Sequence, residues 1–109
     1  MSRYLSVLLL LVAALLEAGG DGIVRTGMRA SSWQRALWYV MGAAVLFAYG
    51  WTVNRPPWKF GELLGLYVVF FFLAAQAISY FVLKETLPRA VLVGGALIVS
   101  GGLVIFLSK

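Results

Sequence analysis

Long apolar runs broken by three short polar stretches set the pattern of this chain. The runs predict helices over residues 4–24, 33–53, 60–83 and 90–107. A helix rises about 1.5 Å per residue, so each run is close to, or above, the length that a hydrocarbon core of about 30 Å demands. The first opens with three turns of nearly pure Leu, Val and Ala, and polarity enters only at Glu17. Residues 25–32 read as a polar loop, with Ser31 or Ser32 as the N-cap of the next helix.

The second run has Trp33, Trp38 and Tyr39 near one end and Tyr49 and Trp51 near the other, the pattern of two interfacial aromatic belts. Gly42, Ala43 and Ala44 give it a waist for close packing. Pro56 and Pro57 then stop the helix, because consecutive prolines cannot continue its hydrogen bonding. In the third run Gly61 and Gly65 form a small-xxx-small pattern, and Glu62 reads as interfacial, within pairing distance of Lys59. Its middle is rich in aromatics (Tyr67, Phe70, Phe71, Phe72, then Tyr80 and Phe81), with Gln76 as its one strongly polar side chain. Residues 84–89 close it with charges and a proline. In the fourth run Gly94 and Gly101, and Gly95 and Gly102, repeat every seven residues with Ala96 and Ser100 between them. That seam is the grammar of a helix that packs on another helix. Lys109 ends the chain as an interfacial anchor.

Composition narrows the class. Of 109 residues, 62% are hydrophobic and 12% charged, against a charged share of about 25% in soluble domains. The chain therefore reads as a single all-α integral membrane domain, multi-pass. Arg3, the apolar stretch 5–16 and the small residues near Gly19 also imitate a cleaved signal peptide. Three further apolar spans follow, so the first is read as a retained helix. Having no Cys and no His, the chain lacks disulfides, thiol chemistry and imidazole ligands. No metal, no cofactor and no enzyme chemistry is expected, since no nucleophile–base pair or phosphate loop is present. The net charge of +5 is dispersed among apolar runs and does not form a nucleic-acid patch.

Candidate chemistry sits in the first helix. An acid near the centre of a spanning helix costs about 2.5–3.5 kcal/mol on insertion scales, and such residues mark pathways by default. Glu17 and Asp21 are one helical turn apart, so they share a face, with Arg25 one turn further on. Ala18, Gly19, Gly20 and Gly22 around them permit a close approach by another backbone or by a substrate. One reading makes Glu17 a carboxyl that exchanges a proton for a cation, assisted by Asp21. The other makes Glu17, Asp21 and Arg25 a self-neutralising ladder that only positions the helix. Trp38, Tyr67 and Tyr80 are candidate walls for a cation, through ring quadrupoles worth about 0.5–2 kcal/mol each. Gln76 is a candidate cavity residue because an amide in hydrocarbon needs a partner.

Four spans put both ends of the chain on one side of the membrane. Arg3, Arg55, Lys59 and Lys109 then face Arg25, Arg29, Arg35, Lys84 and Arg89 on the other. This near balance gives little orientation instruction and points to insertion both ways up, with opposed copies able to pair. A single orientation set by the basic 25–35 loop in the cytoplasm is the simpler alternative.

These residues carry a resemblance. The segment Ala14-Leu15-Leu16-Glu17-Ala18-Gly19-Gly20 resembles the helix-one acidic motif of the small multidrug resistance transporters, within the drug/metabolite transporter superfamily. Residues 83–87 (Leu-Lys-Glu-Thr-Leu), followed by Gly94-Gly95-Ala96-Leu97-Ile98-Val99-Ser100-Gly101, are similar to the end of that family's helix three and its helix-four dimerisation motif. Residues 46–56 (Leu-Phe-Ala-Tyr-Gly-Trp-Thr-Val-Asn-Arg-Pro) and 64–68 (Leu-Gly-Leu-Tyr-Val) resemble the YnfA-type branch. The likeness runs over essentially the whole chain. It implies four transmembrane helices working as an antiparallel, dual-topology homodimer that exports small cationic or hydrophobic compounds in exchange for protons. It further implies Glu17 as the acid shared by proton and substrate, with Gly94 and Gly101 in the dimer seam and Gly95 and Gly102 beside them. The chain departs from the multidrug pattern in lacking a helix-three tryptophan and in carrying Asp21, and its third span is longer than in the YnfA branch. A lipid-linked or metabolite translocase subunit of the same fold and a non-transporting membrane scaffold are the competing readings.

Overall fold

A computed structural model of the protein describes residues 1–108; Lys109, the anchor expected from the sequence, lies outside the described residues. The described residues form α1 (Arg3–Met28), α2 (Ser32–Val53), α3 (Phe60–Phe81) and α4 (Arg89–Leu107). All four are long and apolar enough to cross a membrane. In helices of this kind every backbone group inside hydrocarbon is satisfied within its own segment.

Two boundaries differ from the pattern-based expectation by more than one residue. α1 runs one turn beyond residue 24, through Met28, so the expected polar loop shrinks to a tight connection. The extra turn persists because Thr26 returns its hydroxyl to the Gly22 carbonyl (2.9 Å) and Gly27 packs directly on α2. α3 stops at Phe81 instead of residue 83, where the chain folds back on the helix end: the Glu85 N–H donates to the Ser79 carbonyl at 2.9 Å. The caps are local and legible. Ser2 accepts from the Leu5 N–H (3.1 Å), and Ser31 is the N-cap of α2, its hydroxyl donating to Gln34 Oε1 at 3.3 Å.

The helices lie in a row, α2–α1–α3–α4: α1 packs on α2 and α3, and α3 on α4. The molecule is accordingly thin, with extents of 49 × 34 × 19 Å. Arg3 sits over the Phe106 ring, 5.1 Å from its centroid, so the start of α1 and the end of α4 lie on the same side of the helix layer, at the same level along the helix axes. Side chains on the outer surfaces are apolar and open; Phe47 is 75% exposed and Leu107 77%.

Small residues decide how close neighbours come. A Cβ on Gly27 would lie 2.6 Å from Trp38 Cβ, one on Gly42 2.5 Å from Val24, and one on Gly20 2.7 Å from Leu46. Of the waist expected at Gly42, Ala43 and Ala44, only Gly42 lies in the contact, with Ala43 and Ala44 exposed, and its counterparts are Gly20 and Gly27. At the centre of the row the buried Ala13, Ala14 and Ala18 of α1 admit Leu63, Leu66, Tyr67 and Ala74 of α3. Where lipid tails are as apolar as Leu, such close approach is what holds helices together.

The glycine seam of α4 divides in two. Gly95 lies against Phe72 and Gly102 against Val69, both on α3 of the same chain. The resemblance places these two in a dimer seam, but within this chain they are already covered, because α3 supplies large side chains at matching heights. Gly94 and Gly101 have open space where a Cβ would stand.

Candidate functional site

The site grows from one feature of α1. Its alanine-lined face lets α3 approach so closely that the Tyr67 hydroxyl, on a residue only 4% exposed, lies 3.3 Å from the Ala13 carbonyl. The same hydroxyl donates to Glu17 Oε1 at 2.8 Å. That bond orients the Glu17 carboxyl toward α3.

Aromatic rings hold Tyr67 in place. Tyr49 of α2 lies with its ring centroid 5.6 Å away, and Phe71, one turn further along α3, at 6.3 Å. Glu17 is thus gripped at a junction of α1, α2 and α3. Tyr49 was expected in an interfacial belt, but it stands half-buried in this cluster. The hairpin register could have found it. Going down α1 and up α2, Gly27 meets Trp38, Val24 meets Gly42 and Gly20 meets Leu46; one further turn puts Glu17 level with Tyr49. The belt partner Trp51 does lie outside, 61% exposed, with the Arg55 guanidinium over its ring at 4.4 Å.

One turn from Glu17, Asp21 opens into a cavity of about 570 Å³ between α1, α3 and the loop before α4. Phe71, Gln76, Ser79, Arg25 and Glu85 share its wall with Asp21, while Glu17 is not among the lining residues. Gln76 lines this cavity. Trp38 does not: its Cβ is packed on Gly27 in the α1–α2 seam. Tyr80 is also elsewhere, half-exposed and edge-on to Phe81 at 5.1 Å. Tyr67 serves the acid directly and is not part of the cavity wall.

The self-neutralising ladder is not formed. Arg25 pairs with Glu85 (Nη2–Oε2 3.8 Å) and not with Asp21. Glu85 reaches it because the Ser79 hydroxyl donates to its other oxygen at 2.7 Å. Ser79 and Glu85 are site residues that sequence reasoning missed, since nothing local in a loop says which helix end it will touch. Among the described residues no group of three or more acids, Cys or His comes together in a way that could hold a metal ion. No protein-family model, curated protein or solved structure matches the chain.

Proposed function

We propose that this chain is a small multidrug-resistance-like secondary transporter, exporting small cationic or hydrophobic compounds in exchange for protons. The observation that carries the reading is Glu17: a carboxylate in the body of a membrane-length helix, oriented by a buried tyrosine hydroxyl, one turn from an open cavity that contains a second carboxylate. Acids at such depth default to function. The chemistry needed is modest. A proton and a cation that cannot occupy one carboxylate together are exchanged across the membrane whenever each is released on the opposite side. Tyr67 donates to Glu17 when the carboxylate is ionised, and its hydroxyl must turn away, or accept instead, when that oxygen carries the proton.

The working unit in this proposal is an antiparallel homodimer in the inner or plasma membrane. The open side of α4 at Gly94 and Gly101, with Leu97 71% exposed and Val104 70%, supplies the surface for a second copy. Gly101→Leu should then abolish dimers in lipid while leaving the monomer folded, as crosslinking and circular dichroism would show. A second reading, a translocase subunit for lipid-linked cargo, is favoured by a separate apolar groove of about 530 Å³ between α3 and α4, which shares Gln76 with the polar cavity.

Proton flux into liposomes on addition of quaternary ammonium and guanidinium compounds tests the first reading. Compound-driven flux that vanishes in Glu17→Gln is the expected result. Silence of the wild type toward every cation would remove the exporter reading and turn attention to lipid cargo. Cation-driven flux unchanged in Glu17→Gln would remove Glu17 from its role.

A further inference from the structure

Arg25 has two carboxylates within reach. Asp21 precedes it by one helical turn, a spacing at which opposite charges on a helix pair. Its guanidinium nevertheless lies against Glu85 at 3.8 Å. The loop is built to deliver that acid. Lys84 takes a left-handed backbone conformation (φ 60°), the one positive-φ non-glycine among the described residues. The next residue then returns to the end of α3, where Ser79 binds both its backbone N–H (2.9 Å) and its carboxylate (2.7 Å). A side chain tied to α3 thus holds the α1 arginine from across the cavity. Asp21, on the same cavity wall, makes no hydrogen bond or salt bridge among the described residues.

We propose that Glu85 is a positioning residue: it keeps Arg25 away from Asp21, leaving the Asp21 carboxylate open to a cation in the cavity. Asp21, Arg25 and Glu85 together carry one net negative charge when ionised, and that charge is concentrated where the cavity needs it. Once Glu85 is neutralised, Arg25 turns onto Asp21, and any incoming cation must displace a tethered guanidinium. An exposed ion pair is worth up to about 1 kcal/mol, which sets the expected effect at about fivefold. The cation's place in transport rests on the function proposed above; the charge partition does not.

The test uses the full chain in lipid nanodiscs. Carbodiimide labelling of Asp21, read by peptide mass spectrometry, is compared among wild type, Glu85→Gln, Glu85→Asp and the double variant Glu85→Gln/Arg25→Gln. Asp21 should label in wild type and in Glu85→Asp, label about fivefold more slowly in Glu85→Gln, and recover in the double variant. An unlabelled wild-type Asp21, equal labelling in Glu85→Gln, or a loss that the double variant does not restore overturns the proposal. Binding of a quaternary ammonium ion to the same samples should weaken and recover in parallel. If no sample binds it while the labelling pattern holds, the transport reading fails and the charge partition stands.

Discussion

Glu17 and Asp21 are one turn apart on one helix face, yet their surroundings have little in common. Glu17 is held by a tyrosine hydroxyl at 2.8 Å, within a cluster drawn from three helices. Asp21 faces a cavity from whose far wall Glu85 reaches across to engage Arg25, the arginine one turn further along α1. The difference originates in α3 and the loop that follows it, not in α1. At the height of Glu17, α3 presents Tyr67; at the height of Asp21 a cavity lies between the two helices, and Glu85 enters from the end of α3. Two acids of one helix thus acquire a fixed role and an open one from what their neighbour presents.

The largest break in this comparison is Glu17→Gln, which removes the charge that Tyr67 orients. Coupled proton flux should be abolished, while thermal stability in detergent is retained because the amide oxygen still accepts from Tyr67. Next comes Tyr67→Phe, which keeps the rings and deletes one bond to a charged group, worth about 1.5–3 kcal/mol. Flux should fall by roughly tenfold or more, since about 1.4 kcal/mol is tenfold, with cation binding largely kept. Asp21→Asn should act on binding alone: apparent affinity for a cation falls about fivefold, on the scale of an exposed charge pair, and coupling survives. If Asp21→Asn instead abolished flux as Glu17→Gln does, the two acids would share one role and the contrast drawn here would collapse. Smallest is Lys84→Gly, which relieves a left-handed non-glycine residue. It should raise unfolding stability by no more than about 1 kcal/mol, measured by thermal denaturation, and leave Glu85 on Ser79.

Much of the architecture was legible along the chain. Four apolar runs, two prolines after α2 and a serine cap before it placed the helices to within a few residues, because length, hydropathy and backbone chemistry are local properties. Glu17 stood out for the same reason, as a charge where hydrocarbon is expected, and so did Gln76. Tyr67 was a candidate among several aromatics, with nothing local to distinguish it from Tyr80 or Trp38. Packing separated them: the alanine face of α1 drew Tyr67 inward, Gly27 took up Trp38 in a helix seam, and Tyr80 was left outside.

The sequence by itself determined that this chain makes membrane-length helices and places two acids on one face of the first. Tertiary structure alone decided which tyrosine reaches Glu17, that Arg25 answers Glu85 and not its nearer neighbour Asp21, and that half of the α4 glycine seam is spent within the chain. The physical reason is range. Helix formation and insertion depend on the composition of a short window, whereas a hydrogen bond between residues fifty positions apart depends on how closely two backbones can approach.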